Sequence, residues 1–312
     1  MPSIGGNSDP FWINAARTIF AASARQMHKN PNRSISLLLK ALLTADLGTL
    51  GKFLKGTEAE TLASDKIEKT AISIRSVLTT YLKSLKYVKD VPNSFSIRQW
   101  IQNDDQRNWL FISSISDKHE TLKPLISMWL DIAANALMSL KPSNERRIWM
   151  IFDELPSLQR LPYLPESFAE ARKFGGCLVA GMQSISQLRK IYGQNAAEEI
   201  SNLCNTRIFF RDPSFDTAQW ASKELGEIEI EEMKENISYS ESAMRSGISI
   251  SNQRYQKQII SASEVMQLND LESFIRLPGL FPLTKIKFTF KKPKIISKSF
   301  VERLVHSTGE NS

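Results

Sequence analysis

Apolar residues recur at helical spacing through the first part of the chain. From Phe11 to about Lys89, steps of three and four predict helices near 13–29, 34–43, 46–55 and 65–89. The last segment has the clearest apolar stripe, formed by Ile67, Ala71, Ile74, Leu78, Leu82 and Leu85. Before these helices, the glycines and prolines of residues 1–12 indicate a flexible leader.

Basic side chains lie mostly off this stripe, among them Lys66, Lys69 and Arg75. One interpretation is an ordinary solvated helix face, on which long cationic side chains cover apolar surface with their stems. The other is a surface that faces DNA, because lysine and arginine neutralise phosphates. The pattern alone is compatible with both.

After Val91 the pattern changes to short apolar runs that alternate with amphipathic segments. We predict strands at 108–113, 148–152, 177–182, 206–210, 273–277 and 284–290, and helices at 122–140, 164–174, 186–192 and 215–225. Strands that are apolar throughout and joined through helices indicate a parallel sheet covered on both faces, so residues 96–312 are interpreted as α/β. The polar segment 226–262 is interpreted as an irregular excursion.

The composition is that of a folded protein without a disulfide framework or an evident metal site. With 42% apolar residues in 312, the chain can bury a sizeable core, and its net charge of +7 is compatible with a polyanionic partner. Its two cysteines, Cys177 and Cys204, make a disulfide framework improbable. The three histidines are scattered and form no metal-ligand pattern.

Because no apolar run approaches membrane-spanning length, we expect a cytoplasmic chain, attached to any membrane only through partners.

The most informative run is Arg147-Ile-Trp-Met-Ile-Phe-Asp-Glu-Leu-Pro156. Five apolar residues followed by Asp153 and Glu154 place two carboxylates at the carboxyl end of a buried strand, where open α/β sheets bind their ligands. In nucleotide hydrolases such an aspartate holds Mg²⁺ through water, and the adjacent glutamate polarises the attacking water. Apolar strands that end in an acidic pair are common, so this run alone does not establish catalysis.

Two further residues extend the candidate site. Gln183 follows the next predicted strand, where its amide could sense a γ-phosphate at the sheet edge. Arg172 lies before that strand, in a predicted helix end closed by Gly175 and Gly176. A cation at a helix carboxyl terminus is favoured by the helix dipole, so Arg172 is either such a capping cation or an arginine finger for a neighbouring subunit.

These motifs resemble the TraD/TrwB family of type IV coupling proteins. The resemblance is carried by Phe152–Pro156, Glu170–Gly176 and Gln183-Ser184, and extends to Pro10-Phe11-Trp12, Asp65–Arg75, Trp109–Ser114, Asn205-Thr206-Arg207 and Leu277-Pro278-Gly279. It implies a hexameric, DNA-dependent ATPase of the FtsK/HerA type that uses ATP and Mg²⁺. Such motors act at the inner-membrane base of a type IV secretion channel and pump single-stranded DNA bound to a relaxase.

The resemblance also implies domains and roles. Residues 13–95 would form an all-α domain inserted in a RecA-like motor domain, with 96–296 as the carboxyl-terminal portion of that motor domain and 297–312 as a tail. Asp153 would be the magnesium-side carboxylate, Glu154 the catalytic base and Arg172 the finger. Gln183 would link the state of the γ-phosphate to DNA movement.

One expected motif is missing from the sequence. The phosphate-binding loop, G-x-x-x-x-G-K-[ST], does not occur, and the nearest glycine-lysine cluster, Gly48–Lys52, lacks its spacing. We therefore expect an incomplete RecA-like domain that is inactive alone. Either a separate polypeptide carries the membrane anchor and the loop, or the chain is a non-catalytic DNA-binding or docking module, or a truncated remnant.

Overall fold

The computed structural model describes residues 10–63, 68–88, 90, 94–104, 107–238 and 247–296. The chain divides into two compact units, Met1–Asn205 and Thr206–Ser312. Each has its own arrangement of helices and strands.

Helices form the beginning of the first unit. They are α1 (Pro10–Lys29), α2 (Ile35–Leu43), α3 (Leu47–Phe53), α4 (Glu68–Leu82), α5 (Ile97–Gln102) and α6 (Ser116–Met138). The predictions for 13–29, 34–43 and 46–55 are confirmed. The predicted helix 65–89 is confirmed from Glu68 to Leu82, after which a 3₁₀ turn spans Lys83–Tyr87. Residues 65–67 and 89 lie outside the described residues, as do residues 1–9 of the leader and the tail from 297. The leader was predicted to extend to residue 12, which is wrong, because α1 begins at Pro10.

Polar side chains cap the short helices. Ser34 accepts a hydrogen bond from the Leu37 N–H at the start of α2. Asp90 reinforces that helix start, since its carboxylate accepts from the Ile35 N–H at 2.7 Å, the Ser36 N–H at 3.1 Å and the Ser34 hydroxyl at 2.8 Å. A hydrogen bond from the Ser36 side chain, followed by the bonds from Ile35, the Ser36 N–H and Ser34, lowers the pKa of Asp90 to about 2. Asp90 thus ties the chain that follows the helices back to the start of α2.

One apolar core contains residues of α1, α2, α3, α4 and α6. The predicted stripe of α4 is confirmed for the described residues, because Ala71, Ile74, Leu78 and Leu82 are buried. Their partners include Ile19 on α1, Leu42 on α2 and Leu50 on α3. Leu125 of α6 also lies in this core, with Leu122 and Trp129 packed against it.

Two parallel strands follow in the first unit. They are β1 (Ile148–Phe152) and β2 (Gly176–Ala180), connected through α7 (Leu164–Glu170) and a 3₁₀ turn at Ala171–Phe174, and followed by α8 (Ile185–Tyr192) and α9 (Gln194–Leu203). The predicted parallel arrangement is confirmed for this pair. The pattern did not reveal α9. The predicted strand at 108–113 is wrong, because no described strand pairs with those residues and they form no ladder.

The second unit contains an antiparallel sheet. Its order is β3 (Arg207–Phe210), β6 (Glu272–Arg276) and β7 (Thr284–Lys287), and it packs against α10 (Phe215–Leu225) and α11 (Ala262–Met266). The predicted helix 215–225 and the predicted strands 206–210 and 273–277 are confirmed, the strand 284–290 is confirmed only as far as Lys287, and α11 was not predicted. The parallel direction expected for these strands is wrong, because β3 pairs with β6 and β6 with β7 in antiparallel fashion. The sequence did not reveal this, since apolar strands have the same composition in either direction.

The irregular excursion predicted at 226–262 is also wrong. The segment forms a hairpin of β4 (Glu227–Ser238) and β5 (Gly247–Gln258), which pair antiparallel from Glu227↔Gln258 to Ser238↔Gly247. Arg254 lies 3.8 Å from Glu229 and 3.6 Å from Glu231 across the two strands. Because both faces carry charged or amide side chains, its composition is similar to that of a loop.

Candidate functional site

The parallel pair β1–β2 sets the position of the acidic residues. The register runs from Ile148↔Gly176 to Phe152↔Ala180, so both strands end at the same edge. The ladder continues one step further, where the Gly181 N–H donates to the Phe152 carbonyl at 2.7 Å and the Leu155 N–H donates to the Gly181 carbonyl at 2.9 Å. Asp153 and Glu154 are therefore held beside Gly181 by backbone bonds.

Gly181 is required by this close approach. A Cβ at this position would lie 2.2 Å from the Asp153 carbonyl oxygen and 3.1 Å from its carbon. Any side chain would push the backbone of Asp153 away from β2. The glycine thus determines where the acidic residues stand relative to the segment after β2.

Glu154 has an unsatisfied carboxylate oxygen. Its Oε1 atom is buried and has no hydrogen-bond partner among the described residues. Its own carbonyl begins a 3₁₀ turn, Leu155–Ser157, and accepts from the Ser157 hydroxyl at 2.7 Å. A buried carboxylate oxygen without a donor is a place for a water molecule or a metal-bound water. Asp153, which is exposed at the strand end, supplies a second carboxylate there.

Gln183 lies at the same edge. It follows Gly181 in the connection from β2 to α8, with an exposed side chain. The next residue, Ser184, caps α8 by accepting from the Gln187 N–H. The structure thus brings Asp153, Glu154 and Gln183 to one carboxyl edge, as their positions after successive strands predicted.

Arg172 lies at the opposite edge of the sheet. It belongs to the 3₁₀ turn that enters β2, so the five residues of β2, roughly 16 Å of extended chain, separate it from Gln183. Its side chain is exposed. Arg172 therefore lies the length of β2 away from the acidic edge of its own chain, with a side chain accessible to another molecule.

The turn at Arg172 is held firmly. Gly175 has φ 82°, and a Cβ there would lie 2.5 Å from the Arg146 carbonyl oxygen. The Arg146 guanidinium binds both carboxylate oxygens of Asp104, at 2.7 and 3.0 Å, and also donates to the Lys141 carbonyl at 2.9 Å. The Asp104 carboxylate raises the pKa of Arg146, and the guanidinium lowers the pKa of Asp104.

His119 was not recognised as part of this region from the sequence. Its Nε2 lies 3.2 Å from the Ser157 carbonyl and its Nδ1 lies 2.8 Å from the Ser114 hydroxyl. Because a carbonyl only accepts, Nε2 carries the proton, and the Nδ1 of a neutral ring accepts from Ser114. His119 thus links the turn after Glu154 to the segment 107–114. A lone histidine in a helical pattern gives no signal for such a bridge.

A groove of about 650 Å³ runs along β1. Its walls are β1 itself, the irregular segment from Arg107 to Ser114, and parts of α5 and α6. Asp153 and Glu154 lie among its lining residues. The groove therefore leads to the acidic edge.

The basic residues considered for DNA differ in their environment. Lys69 on α4 is exposed, whereas Arg75 is only partly exposed, and its Nε and Nη2 atoms are buried without a hydrogen-bond partner in the described part of the chain. Lys66 lies outside the described residues. Of the two that the structure describes, Lys69 is the more exposed to solvent.

The described residues were compared with the requirements of a metal site and of a membrane span. Within the described ranges, no three His, Cys, Asp or Glu side chains come together as a metal site. Asp153 and Glu154 could bind Mg²⁺ only with ligands from water or from a bound phosphate. No helix in the described part of the chain has both the length and the apolar character required to cross a bilayer.

Comparison with known proteins identifies related chains. Residues 1–289 match the family model described as "Type IV secretion-system coupling protein DNA-binding domain". Coupling protein TraD of Escherichia coli K12 is 42% identical over 314 residues, which are 99% of this chain and 44% of TraD. A conjugal transfer protein TraG of Escherichia coli is 26% identical over 220 residues, 65% of this chain and 34% of TraG.

Solved structures of the coupling protein TrwB are similar in fold. Unbound TrwB, without its first 70 residues, superposes with a TM-score of 0.78 and 29% identity, covering 92% of this chain and 66% of that one. TrwB in complex with ADP and Mg²⁺ gives 0.79 and 29%, with 93% and 66% covered. The chain thus spans less than half of TraD and about two thirds of the TrwB chain.

Proposed function

The chain belongs to the type IV secretion-system coupling proteins, and we propose that it supplies the acidic edge of a conjugative motor. The observation that carries this proposal is the in-register pair β1–β2, which brings Asp153, Glu154 and Gln183 to one carboxyl edge. When complete, the motor would use ATP to pump single-stranded DNA into a secretion channel. Its partners would be a relaxase on the DNA and the channel at the cytoplasmic face of the inner membrane.

In this proposal the three edge residues have separate roles. Asp153 would hold Mg²⁺ through water, and Glu154 would accept the proton of the attacking water. The orphaned Oε1 of Glu154 supports this role, since that atom is available to accept a hydrogen bond. Gln183 would contact the γ-phosphate and transmit its loss to α8, which begins directly after it.

Arg172 would act on the nucleotide of a neighbouring subunit. Its location at the amino edge of β2 supports action in trans, because β2 separates it from the acidic edge of its own chain. A ring of identical subunits, such as a hexamer, would bring each Arg172 to the next acidic edge. A finger would stabilise the negative charge that develops on the transferred phosphate.

The phosphate-binding loop of the complete motor would lie outside residues 1–312. These residues contain no G-x-x-x-x-G-K-[ST] string. Without the backbone N–H groups and the lysine of such a loop, residues 1–312 by themselves would hydrolyse no ATP.

The test is DNA-dependent ATP hydrolysis by the chain mixed with a coupling-protein fragment that carries a phosphate loop. The expected result is activity in the mixture and none in either part. Glu154→Gln should remove it, whereas Glu199→Gln, an exposed glutamate on α9, should leave it unchanged. Equal activity of the two variants would contradict the role of Glu154.

The action of Arg172 in trans has its own test. Arg172→Ala and Glu154→Gln chains should each be inactive in the assembled motor. When they are mixed, some interfaces combine an intact Arg172 with an intact Glu154, so part of the activity should return. If mixing restores nothing, Arg172 does not act across subunits.

A second candidate is a DNA-binding or docking module without catalysis, favoured by the missing loop and the net charge of +7. It predicts salt-sensitive binding of a fluorescent single strand that is indifferent to ATP. Lys69→Ala should weaken this binding, whereas Lys190→Ala on α8 should not. Binding that depends on ATP in the mixture with the loop fragment would favour the motor instead.

A further inference from the structure

Arg146 contacts the turn that carries Arg172 through both its backbone and its side chain. A Cβ on Gly175, the residue that ends the turn, would lie 2.5 Å from the Arg146 carbonyl oxygen, so the two backbones are in direct contact. The Nη1 atom of Arg146 donates to the Phe174 carbonyl at 3.4 Å. Arg146 thus holds the end of the turn at two points.

The guanidinium of Arg146 is itself fixed by two other segments. Asp104, just beyond the end of α5, binds it through both carboxylate oxygens at 2.7 and 3.0 Å. The Lys141 carbonyl, just after α6, accepts from Nη1 at 2.9 Å. The Arg146 side chain is only 17% exposed, and a planar guanidinium with this set of acceptors is held in one orientation. Arg146 therefore connects the turn to the ends of two helices.

The two cations of the turn differ in their surroundings. The Lys173 ammonium lies over the Phe174 ring, 5.5 Å from its centre. Arg172 is exposed and makes no ion pair with the described residues. A long side chain without partners keeps its rotamer freedom, so only its backbone restricts the space that it reaches. The placement of Arg172 thus depends on the turn.

We propose that Arg146 is a positioning residue for Arg172, which it places so that the arginine reaches the nucleotide of a neighbouring subunit. The inference rests on the action of Arg172 in trans proposed above. Arg146 itself would not touch the nucleotide, since its guanidinium is engaged by Asp104 and by two backbone carbonyls. Stabilisation of transition-state charge requires exact placement, and a displacement of about 1 Å can lower a rate by about 100-fold.

Amide hydrogen exchange on the chain alone tests the contact with the turn. The Gly175 N–H donates to the Arg172 carbonyl at 3.1 Å, so its exchange reports whether the turn is closed. Arg146→Lys should speed this exchange by about tenfold, because an ammonium cannot replace the planar contacts of the guanidinium. The Gly181 amide, at the far end of β2, should exchange as in the parent. Unchanged exchange at Gly175 would overturn the proposal.

Kinetics of the assembled motor test the action through Arg172. Arg146→Lys should lower kcat for ATP by about tenfold or more and change KM by less than about twofold, because a misplaced finger weakens binding of the transition state more than binding of ATP. Arg98→Lys is the matched control, at an exposed arginine that donates to Asn135 at 2.8 Å, and should keep the parent kcat. Equal kcat values for the two variants would contradict the positioning role.

Mixing variants separates positioning from a general loss of structure. Arg146→Lys chains should regain activity with Glu154→Gln chains, which supply an intact Arg146 and Arg172. They should regain none with Arg172→Ala chains, because every interface then lacks a correctly placed finger. Recovery with Arg172→Ala would place the defect at the acidic edge, and recovery with neither would indicate a general structural defect. Either of these results would overturn the proposal.

A second variant covers the case in which Arg146→Lys does not fold. Asp104→Asn weakens the two-point contact from the 66% exposed partner, and should give the same complementation pattern with a smaller loss of kcat.

The positioning role and the finger can fail separately. An inactive Arg172→Ala beside a fully active Arg146→Lys would refute the positioning role alone. Full activity of Arg172→Ala would refute the finger and the positioning role together.

Discussion

Replacing Gly181 by alanine should disturb the acidic edge more than any other single methyl group in this region. The new Cβ would lie 2.2 Å from the Asp153 carbonyl oxygen, where ordinary contacts begin at 3.4 Å. The backbone of Asp153 or Gly181 must therefore shift by about 1 Å, and overpacking of this kind costs roughly 1–3 kcal/mol. Two backbone bonds, from Gly181 to Phe152 and from Leu155 to Gly181, would be strained together.

The assay is thermal unfolding followed by circular dichroism. For a unit of this size the cost corresponds to a Tm lower by roughly 3–10 °C. Gly51→Ala is the matched control, since its Cβ would meet the Ala63 carbonyl at 3.3 Å and alanine is preferred in a helix such as α3. The control should melt at or above the parent temperature. If Gly181→Ala melts with the parent, the close approach does not constrain Asp153 and the reasoning is wrong.

Three other changes address the first unit. In the folded chain the pKa of Asp90 is about 2, below its ordinary value of 3.8. The ionised carboxylate therefore stabilises the fold above pH 4, and this stabilisation is lost as the pH falls toward 2. Asp90→Asn should therefore cost roughly 1 kcal/mol at pH 7 after allowance for solvent screening, and the gap to the parent in urea titrations should close with acid. Tyr192→Phe removes the buried hydroxyl that accepts from the Leu161 N–H at 3.3 Å and should cost about 1–2 kcal/mol in the same titration; an unchanged midpoint would contradict this. Arg146→Lys should lower the Tm, because it loses the two-point contact with Asp104. The same substitution should lower the Tm less when Asp104 is already replaced by alanine. Equal decreases in Tm in the two backgrounds would show that Arg146 and Asp104 are not coupled.

The sequence predicted the positions of the site residues better than it predicted the pairing of the strands that hold them. A strand that ends in Asp153-Glu154 is a local pattern, and the edge at which successive parallel strands end follows from topology alone. The ladder around Gly181 depends on which residue stands opposite which across a long connection, and no local pattern encodes that register. His119 illustrates the same point, since one of its partners, the Ser157 carbonyl, lies 38 residues further along the chain.

The incorrect predictions have physical causes of the same kind. Residues 108–113 have the composition of a strand, but a strand exists only when a neighbour completes its hydrogen bonds. The β4–β5 hairpin was interpreted as irregular because its sequence is rich in glutamate and amide residues, which obscure the alternation of apolar and polar positions that marks a strand. In the second unit, strand direction was misjudged because apolar composition reports burial and not orientation.

The helix α6 has a mechanical consequence. Its first half lies in the core of the all-α region through Leu125, and its second half reaches the start of β2, where Leu137 lies against Gly176. Its 23 residues extend for roughly 35 Å, with Pro124 inside the helix just before Leu125. Because α6 belongs both to the all-α core and to the region of β2, a displacement of the helices would reach the strands through this one element. A substrate that pulled on the helices would in this way act on the strands without touching them.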